Sequence, residues 1–238
     1  ETAPDPRIMT PEEKTLVPDP AHGSRAGIIL LEETDRNDAS GQKRHTTYHL
    51  RAKVFSEEEA EVGLVRIPIP DWGVVRKWWG WTLLPDGKVV ETKKSELRAD
   101  PIVNAGEEGK KVLTVRLKVV PGCVIDYGYE TEDRSVPELK IVNLKRDVPV
   151  REFRYHWTPG GKSLGDVRFP KSEGLEGAVV REGRSVVVTA KNLPAFVKEP
   201  WMPPEPLARA PLILYYHDAD ATVGTFWRGL ATQMSGTA

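Results

Sequence analysis

Along residues 46–55 apolar and polar side chains alternate, with Tyr48, Leu50, Ala52 and Val54 in one phase and His49, Arg51 and Lys53 in the other. The same period of two runs through 112–120, where Leu113, Val115, Leu117 and Val119 oppose Thr114, Arg116 and Lys118. It recurs in 123–130, with Cys123, Ile125, Tyr127 and Tyr129 against Asp126, Gly128 and Glu130, and in 150–157, with Phe153, Tyr155 and Trp157 against Glu152, Arg154 and His156. Successive side chains of a strand point to opposite faces, so this pattern predicts half-buried antiparallel strands. Shorter runs predict further strands at 27–32, 61–67, 79–84, 88–92, 140–143, 177–180, 186–190 and 212–216. Pro85-Asp86-Gly87 predicts a hairpin turn, because Pro presets one dihedral and Gly supplies a positive φ. About a dozen strands in one chain predict an all-β fold, a large antiparallel two-sheet β-sandwich.

The ends break the pattern. Residues 1–26 are rich in Pro, Asp and Glu and read as an extended arm with one helical turn at 11–16. Residues 27–217 hold the strand signals. In 218–238, Val223, Phe226, Trp227, Leu230 and Met234 fall at i, i+3, i+4, i+7 and i+11, which predicts an amphipathic C-terminal helix with Asp220 as N-cap. We read that helix as the start of a following domain, with Phe226, Trp227 and Leu230 as its contacts.

Composition narrows the chemistry. The 34 basic and 35 acidic side chains nearly cancel, which argues against a general nucleic-acid binder. No apolar run is long enough to span a bilayer as a helix. The single cysteine, Cys123, excludes an internal disulfide and a cysteine-based zinc cluster.

Cys123 follows a Pro-Gly turn, where a nucleophilic thiol could be displayed. Its phase places it instead with Ile125, Tyr127 and Tyr129, and its near neighbours Asp126, Glu130, Glu132 and Asp133 are acidic, which disfavours a thiolate. Cys123 is therefore read as core. The histidines form no motif: His45 and His49 share a strand face but stand about 13 Å apart, too far to share a metal ion. His217-Asp218-Ala219-Asp220 reads as a strand end running into a helix cap, and Gly160-Gly161-Lys162-Ser163 as a turn rather than a phosphate loop. Glu57-Glu58-Glu59 and the acids of 130–133 read as solvated loops. In 145–157 the aromatics and cations are out of phase, so the aromatics are expected inside and the arginines in water. No catalytic residue, metal site or cofactor is assigned. Trp72, Trp78, Trp79 and Trp81 crowd into ten residues and are the candidate ligand-binding patch, with Trp79 and Trp81 on one face and Trp78 opposite.

The order of segments resembles a family. It runs through Ala26-Gly27-Ile28-Ile29-Leu30-Leu31-Glu32, Leu84-Pro85-Asp86-Gly87-Lys88, and 120–129 with Pro121-Gly122-Cys123. It continues in Val148-Pro149-Val150-Arg151-Glu152-Phe153-Arg154-Tyr155, Ala190-Lys191-Asn192-Leu193-Pro194-Ala195 and Tyr215-Tyr216. Together these resemble the N-terminal β-sandwich domain of unknown function that precedes a transglutaminase-like core in bacterial exported proteins. The resemblance implies a periplasmic or extracellular, non-catalytic accessory module, whose partner is a downstream transglutaminase-like domain with a Cys-His-Asp triad that no residue here matches. The other readings are a carbohydrate- or peptidoglycan-binding module using the tryptophans, and an enzyme whose site is assembled from distant residues such as His156 or His217.

Overall fold

The computed structural model describes residues 5–19, 24–40, 42–56, 62–69, 72–101, 111–134, 139–160, 164–170, 176–202, 204–217 and the single positions 224, 228 and 232. A short helix, α1 (Pro11–Thr15), opens the chain. The first strands are β1 (Gly27–Asn37), β2 (Lys43–Val54), β3 (Leu64–Ile69), β4 (Val74–Leu83), β5 (Val89–Glu91), β6 (Arg98–Pro101) and β7 (Lys111–Arg116). They are followed by β8 (Val124–Arg134), β9 (Lys140–Asn143), β10 (Val150–Thr158), β11 (Leu164–Arg168), β12 (Glu176–Glu182) and β13 (Ser185–Leu193). Helix α2 (Glu205–Ala208) and β14 (Pro211–His217) follow, and positions 224, 228 and 232 are helical. Each strand read from the sequence is present, and Gly87 takes φ +86° in the hairpin turn.

The strands form three sheets where two were expected. One has eight strands in the order β12-β13-β10-β1-β2-β8-β4-β5, and the others are β11-β14-β9 and β3-β7-β6. The pairing is not wholly antiparallel either, because β1 and β10 run parallel. The cause lies in the route. After β8 the chain leaves the large sheet, contributes β9 to a small one, and re-enters beside β1 in the same direction. β6 and β11 were not predicted: each is short and carries too few apolar residues to show a period.

One apolar core lies between the large sheet and the two small ones. It joins Leu50, Ala52, Val54, Ile125, Phe153, Tyr155, Trp157, Val186 and Val188 of the large sheet to Val65, Ile67 and Val115 of one small sheet, Leu117 just after it, and Leu212 and Leu214 of the other. These are the apolar phases of the alternating segments, so burial of one face drives the assembly. Cys123 lies in this core with 0% exposure.

The core also holds charge that the pattern did not announce. Asp38, fully buried, accepts from Arg36 Nε (2.9 Å), Arg44 Nε (3.2 Å), Trp157 Nε1 (3.1 Å) and the Tyr216 hydroxyl (2.6 Å). Tyr216 sits on β14, so this carboxylate ties a small sheet to the large one. Burial alone would raise its pKa, but Arg36, the Tyr216 and Trp157 donors and Arg44 outweigh that and hold it below the ordinary range. Glu32 is the second such group. It takes a bidentate bond from Arg146 (2.9 and 2.5 Å) and one from the Tyr48 hydroxyl (3.2 Å). The expectation that the cations of 145–157 all face water fails at Arg146, which turns inward because Glu32 needs a counter-charge.

Candidate functional site

The opposite, outer face of the large sheet carries the candidate chemistry. Strand register lays its side chains out in rows. His156, Asp35, Thr47, Glu130 and Lys77 form one row across β10, β1, β2, β8 and β4. Arg154, Glu33, His49, Gly128 and Trp79 form the next, and Leu31, Arg51, Asp126 and Trp81 the one after. Residues read separately as the polar phases of different strands are thereby brought side by side.

At the centre is Asp126, 0% exposed although it belongs to the polar phase of β8. It accepts from Arg51 Nη1 at 2.9 Å, and both its oxygens lie 3.2 Å from His49 Nε2. The face is not open to water at this point because the N-terminal arm lies across it. Helix α1 begins with a capping box, in which the Thr10 hydroxyl accepts from the Glu13 N–H (3.2 Å) and the Glu13 carboxylate accepts from the Thr10 N–H (2.8 Å). That box aims Glu13 at Arg51. The guanidinium then spends all five of its N–H groups. Nε and Nη2 take the two Glu13 oxygens at 2.6 and 2.8 Å, Nη1 reaches the Pro6 carbonyl (2.7 Å) as well as Asp126, and Nη2 also reaches the Ile8 carbonyl (3.0 Å). Burial would raise the Glu13 pKa, yet the Arg51 and Thr10 bonds hold it below the ordinary value.

Beside this cluster the tryptophan patch is divided. Trp78 faces the core, stacks on Tyr127 at 6.1 Å between ring centroids and donates Nε1 to the Thr92 carbonyl at 2.8 Å. Trp79 and Trp81 share the outer face, as their phase predicts. Trp79 lies over Gly128 next to the His49 ring (6.3 Å between ring centroids), and a Cβ at Gly128 would fall 2.2 Å from the Trp79 ring. Trp81 packs on Met9, Leu83 and Val124. Trp72 stands apart before β4 with 78% exposure. Phe226, Trp227 and Leu230 lie outside the described residues, as do Asp218, Ala219 and Asp220.

Further along the same face, a groove of about 290 Å³ is lined by Glu33, Thr34, Asp35, Thr47, His49, Arg154, His156 and Val187. Its charges are already paired: His156 Nδ1 meets Asp35 at 3.0 Å, and Arg154 binds Glu152 at 2.8 Å and lies 3.7 Å from Glu33. No group of three or more metal-ligating side chains is found among the described residues. The acids of 130–133 prove to be strand residues, not loop. Glu130 pairs with Lys77 (2.8 Å), and Glu132 is shared by Arg76 and Lys43 (both 2.8 Å), whose bonds pull its pKa down to about 2.

Among the described residues Cys123 has no catalytic company. Burial pushes its thiol pKa up, and the Val120 hydrogen bond and nearby Lys53 offset this only in part. The acidic neighbours in sequence are not what disfavours the thiolate: the cause is desolvation, and the charge that acts on the sulfur is a cation. The arm clamp was missed altogether. Its one sequence signal was Thr10-Pro11-Glu12-Glu13, a capping-box pattern whose acidic end had no visible partner.

No family model matches the sequence, and no curated protein matches it. Similarity appears among solved structures. A candidate protease from Parabacteroides distasonis superposes over 80% of this chain and 40% of its own, with a TM-score of 0.63 and 13% identity. This establishes a shared fold and nothing finer. A mutant of the M1 zinc metallopeptidase from Deinococcus radiodurans aligns over 80% of this chain and 42% of its own at 8% identity, with a TM-score of 0.37, too low to establish a common fold. The chain spans about 40% of the length of the solved structures it matches.

Proposed function

We propose that this chain is a non-catalytic β-sandwich accessory module of a bacterial transglutaminase-like protein, exported to the periplasm or cell exterior, which packs against and positions a partner domain or its substrate. The observation that carries this reading is the place of the single thiol. A cysteine nucleophile needs exposure, a depressed pKa and a base. Cys123 has 0% exposure and a raised pKa. The imidazoles of His49 and His156 lie on the other face of the large sheet, each engaged with a carboxylate. Partial coverage of a candidate protease is compatible with a module carried by a larger polypeptide. The test assays peptidase and transamidase turnover of this chain alone, and then of the longer polypeptide with and without it. Inactivity of the isolated chain, with turnover in the longer polypeptide that drops when the module is removed, is expected. Turnover by the isolated chain that vanishes in Cys123→Ala would overturn the reading.

The second reading is a carbohydrate- or peptidoglycan-binding module. It is favoured by Trp79, which lies on the outer face next to His49 of the paired-charge groove, where a neutral polyhydroxyl ligand would displace no ion pair. A glycan panel read by tryptophan fluorescence tests it. A response abolished by Trp79→Ala with the fold intact supports the reading, and a silent panel removes it.

A further inference from the structure

The N-terminal arm is attached to the sandwich like a bound peptide. Its side-chain anchors are few and directional. Met9, 8% exposed, fills an apolar notch formed by Trp81, Leu83 and Val124. Glu13, four residues on, takes the bidentate fork of Arg51. Glu12 meets Arg151 at 2.6 Å. The Arg51 bonds to the Pro6 and Ile8 carbonyls read the backbone of an extended segment, whatever its side chains. Around these contacts the floor is basic. Arg51, Lys53 (3.9 Å from the Met9 sulfur) and Arg151 face the two glutamates, with Asp126 spoken for by Arg51 and His49.

We propose that the outer face of the large sheet beneath the arm is a peptide-docking site, and that its external ligand is an acidic segment of a partner protein carrying an apolar residue four positions ahead of a glutamate. The chain's own arm fills this site in cis and must leave before the partner enters. Charge complementarity selects the occupant: a neutral or basic segment would leave Arg51 with Asp126 alone and would take Glu12 from Arg151. The inference rests on the partner-positioning reading for the existence of a protein partner. Its test reads binding, not turnover, so the two can fail separately.

A labelled peptide of residues 5–17 is titrated, by fluorescence anisotropy, into the full chain and into the full chain carrying Met9→Asp and Glu13→Lys, which undock the arm. The undocked chain is expected to bind at least about ten-fold more tightly than wild type, where the tethered arm competes at high effective concentration. Adding Arg51→Met, or placing Glu13→Gln in the peptide, is expected to weaken binding by about the same factor, one lost charge-assisted pair. Equal binding by the two chains, or binding that survives Arg51→Met, overturns the proposal. Should the double variant fail to fold, hydrogen exchange on wild type decides. Amides of α1 must exchange at least about a hundred-fold faster than those of β2 and β8, and equal protection means the arm never opens as a unit. Light scattering separates the source: a dimer that exchanges arms would overturn the assignment to a partner protein.

Discussion

Treating the folded chain with an aromatic disulfide reagent measures directly how far Cys123 is from the solvent. The sulfur lies in the core at the start of β8, and the residue has no accessible surface. Reagent reaches it only through opening of that strand end. If opening costs as much as the lower bound of ordinary domain stability, about 5 kcal/mol, then at 1.4 kcal/mol per factor of ten native labelling runs more than about a thousand-fold slower than in concentrated urea. The raised thiol pKa lowers the thiolate fraction and slows it again. Substitution adds a thermodynamic check. Cys123→Ala removes one buried sulfur and is expected to cost about 1–2 kcal/mol. Cys123→Ser keeps the size but buries a hydroxyl among apolar neighbours and is expected to cost more, about 2–3 kcal/mol. For a chain of this length, about 1 kcal/mol shifts Tm by roughly 2–4 °C, so the order wild type, Ala, Ser is resolvable by thermal melts. Labelling of native protein at the rate of a free thiol would refute the reasoning, and with it the case for an inert sulfur.

Three further outcomes follow from named contacts. Asp38→Ala removes the buried carboxylate that Arg36 and Arg44 share, with Asp133 at 3.6 Å still beside Arg44, and frees the Tyr216 latch, so urea melts should show a loss of about 3–5 kcal/mol, and a loss under 1 kcal/mol would mean the latch is not needed. Gly128→Ala places a Cβ 2.2 Å from Trp79 and 2.4 Å from the Tyr48 carbonyl; it should cost about 1–3 kcal/mol and shift tryptophan emission as Trp79 lifts off the sheet, whereas unchanged emission would contradict the close approach. Because Glu13 has a lowered pKa in the folded chain, its contribution to arm docking is fully present above the ordinary carboxylate range and is lost as pH falls through the lowered value, below about pH 4. Hydrogen exchange of α1 should rise there before that of β2, and release near neutral pH would contradict the Glu13–Arg51 assignment.

Local sequence reached a long way into this molecule. The phase of 46–55 placed Leu50, Ala52 and Val54 inside, and that of 150–157 did the same for Phe153, Tyr155 and Trp157. The phase of 123–130 placed Cys123 correctly but sent Asp126 to water, where the structure buries it under the arm. Strand phase also separated Trp78 from Trp79 and Trp81, while the structure adds that Trp78 stacks on Tyr127 in the core and that Trp81 lies under Met9 of the arm.

The chain's own order of residues determined which side of each strand is apolar, because alternation is a property of neighbours and needs no knowledge of the rest. What it could not carry is who pairs with whom. The parallel β1–β10 pair, the Asp38–Tyr216 latch, the Glu32–Arg146 pair and the Arg51 clamp all join residues dozens to more than a hundred positions apart. Such contacts are chosen by the summed burial and charge balance of the folded whole, and a buried carboxylate looks the same in sequence as a solvated one until its partner arrives.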